Sequence, residues 1–263
     1  MVIKISTKTR NTITLTIINQ KGGVGKSTTA VNLAAALGEK GKQVLIIDLD
    51  PQGNTTSGFG VEKIIGMKSI YDGLMSETPT EELILKTNEP GVSIIPATID
   101  LAGAEPELAV VISRETRLDD VLKQIKGDYD FIIVDSPPSL GLLTINSLAA
   151  ADKLIIPIQC EYYALEGLSK LLDTIKLVKV RLNQDLEIQG VLLTMYDSRT
   201  TLARQVSDEV KEFFTKQVYK TIIPRSVKLA EAPSFGQSIL VYSTKSKGAT
   251  AYRELAKEVI RRG

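Results

Sequence analysis

The sequence contains no histidine, no tryptophan and a single cysteine, Cys160. One cysteine excludes an internal disulfide and any site built on several thiolates. Without histidine there is no imidazole for acid–base catalysis and no His-containing metal centre. Any metal here is therefore expected to be a hard ion held by oxygens. No apolar run approaches the ~20 residues needed to cross a bilayer. The first ten residues, Met1–Arg10, carry lysines and an arginine with no apolar stretch after them, which is not the pattern of a signal peptide. These absences fit a reducing, cytoplasmic setting. The 263 residues are 43% hydrophobic and 24% charged with a net charge of +1, an ordinary globular composition with enough chain to bury a full core.

The most informative stretch is Gln20-Lys21-Gly22-Gly23-Val24-Gly25-Lys26-Ser27-Thr28. It follows a β-branched run, Ile13–Asn19, and precedes a helical pattern with Ala30, Leu33, Ala34 and Leu37 on one face. Strand, glycine-rich turn and helix are the context a phosphate-binding loop requires. Glycines let successive N–H groups point inward at phosphate oxygens, and the helix adds its positive N-terminal end. Lys26 is expected to reach the β- and γ-phosphates, and the Ser27 hydroxyl to ligate Mg²⁺. The usual G-x-x-x-x-G-K-[ST] pattern has glycine where this chain has Gln20, and an additional lysine, Lys21, follows.

Further along, Gln43–Ile47 reads as a buried parallel strand that delivers Asp48 and Asp50 to its C-terminal end, the edge where open α/β sheets bind ligands. Thr78-Pro79-Thr80-Glu81 reads as a capping box with proline at the first helical position. Val92–Ile95 reads as a short strand, and Leu118, Val121, Leu122 and Ile125 mark an amphipathic helix. Phe131–Val134 is a second apolar strand, ending in Asp135-Ser136-Pro137-Pro138. Leu154–Ile158 and Ile188–Leu193 supply two more, with helices expected around Leu168–Ile175, Leu202–Phe214 and Ala251–Ile260. Apolar strands alternating with amphipathic helices predict an α/β fold: a single doubly wound, mostly parallel sheet with helices on both faces. The whole chain, 1–263, reads as one domain, with residues 1–12 a short N-terminal extension.

Asp135, closing an apolar strand in a chain with a phosphate loop, is a candidate Walker B aspartate that holds Mg²⁺ directly or through its water. Spacing does not say whether Asp48 or Asp50 faces the γ-phosphate, since alternate strand residues point to opposite faces. Ile222-Ile223-Pro224-Arg225-Ser226 reads as a short apolar strand ending in a proline turn.

Lys21–Thr28 resembles the deviant Walker A motif of the ParA/MinD class of ATPases. Asp48–Thr55, Asp135–Gly141, Ile156–Gly167 and Ile223–Pro233 are similar, in order, to segments of ParA/Soj chromosome- and plasmid-partition ATPases. The resemblance implies an ATP-driven switch using ATP and Mg²⁺. Gly22, Gly23, Val24, Gly25, Lys26, Ser27 and Thr28 would hold the phosphates, and Pro224 and Ser226 would lie beside the adenine. It assigns Asp50 to positioning the attacking water and leaves Asp48 to support the Mg²⁺ shell around Ser27 and Asp135. It makes Lys21 the signature lysine that crosses a homodimer interface to the partner's phosphates, where it would offset charge as an arginine finger does. It further implies a dimer that binds double-stranded DNA nonspecifically, release by hydrolysis that a ParB-type partner stimulates, and nucleoid association. Two rivals share the scaffold: a MinD-like membrane switch and a metabolic ATP-dependent ligase. Glu254 and Glu258 on the last helix, with no Phe or Trp there, favour a packed core helix over a membrane anchor. A nitrogenase-reductase reading fails for lack of paired cluster cysteines.

Charge is unevenly placed. Tyr196–Gly263 holds 13 Lys and Arg against 7 Asp and Glu, a net +6 in a chain whose total is +1. A basic third in a near-neutral protein is a candidate polyanion surface. Arg199, Arg225, Lys228, Lys245 and Lys247 are expected in loops and able to reach phosphates, with Arg199 and Lys228 on a surface away from the nucleotide. Arg204, Lys211, Lys216, Lys257 and Arg261 are expected on solvated helix faces. Without interleaved aromatics or a helix-turn-helix, contact is expected to be with phosphates, salt-sensitive and independent of sequence.

Overall fold

A computed structural model describes residues 10–76, 78–161 and 167–263. The readings of Met1–Thr9 and of the middle of Ile156–Gly167 lie outside the described residues. The elements run β1 (Ile13–Ile17), α1 (Lys26–Glu39), β2 (Val44–Asp48), α2 (Asn54–Gly58), α3 (Ile70–Met75), β3 (Leu85–Lys86), β4 (Val92–Ile95), α4 (Ala104–Leu108), α5 (Arg117–Lys123), β5 (Phe131–Asp135) and α6 (Leu142–Ala150). They continue with β6 (Lys153–Gln159), α7 (Leu168–Arg181), β7 (Glu187–Thr194), α8 (Thr201–Phe214), α9 (Val227–Glu231), α10 (Ile239–Tyr242) and α11 (Lys247–Arg262). The sheet order is β3-β4-β2-β5-β1-β6-β7, parallel except for the antiparallel edge strand β3.

The strands are apolar on both faces because both faces are covered. Val44 and Ile46 of β2 and Phe131 and Ile133 of β5 pack with Leu33, Leu37, Tyr252 and Leu255, on the side of α1 and α11. Their alternates, Leu45, Ile47, Ile132 and Val134, pack with Ile70, Leu74, Leu118 and Leu122 on the opposite side. A further cluster under β6 and β7 joins Ile156, Ile158, Val191 and Leu193 to Leu171, Ile175, Val206 and Val210 of α7 and α8. This is the doubly wound sheet that the strand pattern predicts. β1 sits between β5 and β6, and β5 pairs on its other side with β2, so Ile17 is level with Asp135 and Asp135 with Asp48. The phosphate loop and the two strand-end acids thus emerge side by side at one sheet edge.

Several sequence expectations are corrected. Thr78–Glu81 forms no capping box: Thr80–Leu83 is a single 3₁₀ turn without a side-chain cap, and the Thr80 hydroxyl donates instead to the Val121 carbonyl at 2.9 Å. The capping box lies earlier, where Ser69 and Asp72 open α3. Ile222–Ser226 is not a strand; its one ladder contact is an isolated parallel bridge between Tyr196 and Pro224. Lys228 and Lys247 are helical, in α9 and at the first position of α11, rather than in loops. Helix α6 was not anticipated.

Gly38, in the last turn of α1, has no room for a side chain: a Cβ there would lie 2.1 Å from the Pro90 carbonyl oxygen and 2.9 Å from Val92 Cγ2. Gly38→Ala should force the helix end off the β4 entry and cost about 2 kcal/mol, roughly 4–8 °C in thermal midpoint. A melting curve superimposable on that of the native chain would show that this contact is free to relax.

Candidate functional site

The loop between β1 and α1 is shaped by glycine. Gly23 and Gly25 have φ of 73° and 88°, left-handed values that β-carbon-bearing residues rarely adopt. Asn19 fixes the loop's start: its Oδ1 accepts from the Lys21 amide at 3.0 Å and its Nδ2 donates to the Pro157 carbonyl at 2.7 Å. Helix α1 then begins with no side-chain cap and no acid in its first turn. Its first N–H groups are left for an anion, and the helix dipole favours one.

Lys26 is only 6% exposed, with its ammonium 3.4 Å from the Lys21 carbonyl. Burial lowers its pKa, while the charges of Asp135 and Asp50 pull it back up. Asp48 and Asp135 are wholly buried and directly paired across β2 and β5. Burial pushes both carboxyls well above the ordinary range, and each is raised further by a neighbouring acid: Asp48 by Asp50, Asp135 by Asp48. Asp48 has its oxygens engaged: Oδ2 accepts from the Thr56 amide and hydroxyl, both at 2.7 Å, and Oδ1 from the Asp50 amide at 3.3 Å. Asp135 Oδ2 accepts from the Thr55 hydroxyl at 2.7 Å, but Oδ1 is buried without a partner. That orphaned oxygen, on a carboxyl that the Ser27 side chain also faces, is the observation that fits a hard cation. Among the described residues no group of three acids or thiols is arranged to hold a metal, so such an ion would draw most of its ligands from elsewhere.

Asp50, 7% exposed, points into a cavity of about 570 Å³ lined by Gly22, Gly23, Gly25, Lys26, Ser27 and Thr28, with Pro138, Met195, Pro233 and Ser234. Gly25, Thr28 and Met195 also line a neighbouring cavity of about 180 Å³, which Pro224, Arg225, Ser226 and Tyr252 complete. The two share a wall, so the predicted phosphate-side and base-side residues are brought together. Lys21 stands at the loop's start, half-buried, outside both linings.

Sequence reasoning missed Met195, Asn32 and Tyr252. Met195 adopts φ of 50° just after β7, and a residue in the left-handed region at a strand's C-terminal end is a mark of a site. Asn32 is buried one turn into α1; its Nδ2 donates to the Thr28 carbonyl at 2.7 Å and its Oδ1 accepts from the Ile239 amide at 2.7 Å, fastening the 233–239 wall. Tyr252 meets the Thr29 hydroxyl at 3.3 Å.

Three of the five cations expected to contact phosphates line cavities that adjoin the nucleotide loop or share a wall with one that does. Arg225 lines the base-side cavity itself. Lys245 and Lys247 line an open cavity of about 450 Å³ with Tyr196, Ile222 and Pro224, so Pro224 is a wall of both. Arg199 is bound to Asp197, and Lys228 donates to the Ser243 hydroxyl at 3.0 Å.

The raised carboxyls make a pH prediction. The native state keeps protons that the unfolded chain releases between the ordinary carboxylate value and about pH 7, so stability falls as pH rises through that window. Asp135→Asn is therefore expected to stabilise the nucleotide- and metal-free protein by about 2 kcal/mol near neutral pH and above, an advantage that fades towards about pH 4. Melting curves across that range test it; an equal shift at every pH would mean the carboxyl is not held neutral.

Comparison with known proteins agrees with this geometry. The family model for an AAA domain matches residues 12–188. The sporulation initiation inhibitor protein Soj of Bacillus subtilis is 56% identical over 249 residues, covering 95% of this chain and 98% of the relative. The chromosome partitioning protein ParA of Myxococcus xanthus is 52% identical, covering 94% and 87%. Among solved structures, the cobyrinic acid a,c-diamide synthase of Mycobacterium smegmatis with a bound ATP analogue and magnesium superposes with a TM-score of 0.84 at 41% identity, covering 95% of each chain. The septum site-determining protein MinD of Pyrococcus horikoshii with Mg-ADP gives 0.74 at 29% identity, covering 94% and 96%. A phosphate loop of the deviant type, the paired strand-end acids and this degree of identity place the chain in the Soj/ParA family of chromosome-partitioning ATPases.

Proposed function

We propose that this protein is an ATP-driven switch for DNA segregation, hydrolysing ATP to ADP and phosphate. The observation that carries the reading is the uncapped start of α1 beside the buried Lys26 and the unpartnered Asp135 Oδ1, with Asp50 facing the same cavity. The loop amides and Lys26 bind the phosphate oxygens and neutralise their charge. Ser27 and Asp135 are the residues that would hold Mg²⁺, which when bound draws charge from the phosphate oxygens. Asp50 orients the attacking water; its Oδ1 is steadied by the Gln52 amide at 3.0 Å. Asp48, buried behind with both oxygens engaged, holds the Asp50 amide and the start of α2 beside the Mg²⁺ site rather than reaching the substrate. Pro224 and Ser226 lie beside the base. Lys21 completes the phosphate site of a second copy in an ATP-bound homodimer.

The DNA reading is supported by the basic C-terminal third, with Arg199, Arg225, Lys228, Lys245 and Lys247 as phosphate contacts and a ParB-type partner as the trigger for release. Against a membrane-bound role, the apolar face of α11 is buried on α1 through Ala249, Tyr252, Leu255, Ala256 and Val259. A second reading, a metabolic ATP-dependent ligase, is supported by the likeness to the cobyrinic acid a,c-diamide synthase of Mycobacterium smegmatis. The identity to partition proteins is higher, at 56% and 52% against 41%. Slow ATP turnover that needs no other small substrate and rises with DNA decides for the switch.

Lys26→Ala is expected to lower ATP affinity by about 10²-fold or more, whereas Asp50→Ala should retain affinity and lose turnover by about 10²–10³-fold. Equal loss of binding in both would refute this division of roles. Lys21→Ala should bind ATP and remain monomeric by light scattering; an ATP-dependent dimer in that variant would sink the sandwich arrangement. Replacing Arg199 and Lys228 together by Glu should abolish DNA binding equally for unrelated sequences while ATP still binds. Native affinity should fall steeply with salt, as each phosphate contact releases a counterion. Undiminished DNA affinity in the double variant would leave these two as ordinary surface charges.

A further inference from the structure

Two of the arginines on the basic face are already engaged by carboxylates. Arg199 grips Asp197 as a fork, with Nε donating to Oδ1 at 2.9 Å and Nη2 to Oδ2 at 2.7 Å. Arg225 Nη2 pairs with Glu161 Oε1. The two pairs are neighbours: the Arg225 amide donates to the Tyr196 carbonyl at 3.0 Å, and Arg225 contributes with Arg199 to holding the Asp197 carboxyl down, at about 2. Asp197 is thus ionised at every physiological pH. Lys245 and Lys247, by contrast, have no carboxylate within 4 Å among the described residues.

The chemistry of these pairs is that of phosphate recognition. A guanidinium fork offers a carboxylate the same two parallel N–H bonds that it offers two phosphate oxygens. Both arginines are exposed, 86% and 53% by side chain, so each pair is wet and weak enough to be exchanged. Neither acid is needed to balance a buried charge; Asp197 lies within the basic C-terminal third, and Glu161 meets that third through Arg225. We propose that Glu161 and Asp197 are internal competitors for the polyanion, Asp197 occupying the fork of Arg199 and Glu161 one arm of Arg225, and so setting the strength and salt dependence of DNA binding. This rests on the reading of the face as phosphate-binding. Glu161 adds a link to the nucleotide site: it follows the end of β6, and its partner Arg225 lines the base-side cavity, so the pair ties that wall to the end of β6. DNA that takes Arg225 from Glu161 thereby unties the base-side wall from the end of β6.

The test uses the full chain with ATP and Mg²⁺ and two unrelated duplexes of equal length, with fluorescence anisotropy read across a salt series. Glu161→Gln and Asp197→Asn keep the side-chain size, and asparagine still accepts from the Arg199 amide, which Asp197 now does at 3.0 Å. Each variant should bind both duplexes several-fold more tightly at low salt. The slope of log K against log salt should steepen by about 0.9 for each fork released to a phosphate. Glu82→Gln, which removes the partner of Lys68 outside the basic third, changes net charge equally and should leave the slope unchanged. The Glu161→Gln gain should vanish in an Arg225→Gln background. Unchanged slopes in Glu161→Gln and Asp197→Asn, or gains matched by Glu82→Gln, would overturn the proposal and leave the pairs as loop scaffolding. A native chain and variants that all fail to bind DNA would instead remove the underlying DNA reading, and this inference with it. DNA binding that appears only in the variants would support both.

Discussion

Two carboxylates lie side by side at the ends of β2 and β5, wholly removed from water, with a nearly buried lysine close by. An isolated buried charge is costly, and like charges placed together are costlier still. The protein answers by tying Asp48 to the amide and hydroxyl of Thr56 and by holding one oxygen of Asp135 with Thr55. The remaining Asp135 oxygen is left unpartnered, and Lys26 has only a long contact to a carbonyl. The site is thus built around charges that folding alone does not satisfy. A magnesium ion and nucleotide phosphates would supply the partners that these groups lack. Threonines 55 and 56, which anchor both acids, also lie in α2, the helix that follows Asp50 and Gln52, so the acids are tied to the segment that brings Asp50 to the cavity.

The arrangement follows from sheet order. β1 carries the loop, β5 lies beside it, and β2 lies beside β5, although in the chain β2 comes before β5. Parallel strands connected by crossovers bring all three C-terminal ends to one edge, and ligands bind there because the helices that follow begin there. β7 is followed at the same edge by Met195, and the next residue, Tyr196, bridges to Pro224. The base-side wall and the basic face are therefore consecutive along the chain rather than separate surfaces.

Much of this was legible because it is local. The loop lies within nine consecutive residues, and the central strands read as apolar runs because both faces of the sheet are covered. Where structure depends on distant partners, the sequence was silent or misleading. Helix α6 has little polar contrast between faces: Thr144, Asn146 and Ser147 are buried, and Asn146 donates to the Arg114 carbonyl while its Oδ1 accepts from the Leu118 amide. Thr80 was read as part of a cap and is instead a tertiary donor to Val121. Ile222–Ser226 has the composition of a strand, yet it forms only an isolated bridge at Pro224 and a single hydrogen bond from the Ile223 amide to the Leu193 carbonyl of β7, too little for a ladder. The pairing of Glu161 with Arg225 spans 64 residues and has no periodic signature at all.

Helix α11 shows why the end of the chain belongs to the site. Its first residue, Lys247, lines the open basic cavity; Tyr252 lines the base-side cavity and meets Thr29 in the first turns of α1. Near its other end Glu258 is buried. Burial alone would raise its pKa, but the amides of Lys220 and Thr221, the Thr221 hydroxyl and the Arg262 charge hold it below the ordinary value. Arg262 in turn lies 4.2 Å from the centre of the Tyr219 ring and donates to the carbonyls of Gln189 and Val218. Lifting this helix away would expose an apolar face and strand a carboxylate that four donors now satisfy. A helix fastened in this way is a poor reversible anchor but a stiff strut. It fixes the distance between the basic cavity and the base-side cavity, so a change in the wall they share is not absorbed by slack in the helix behind it.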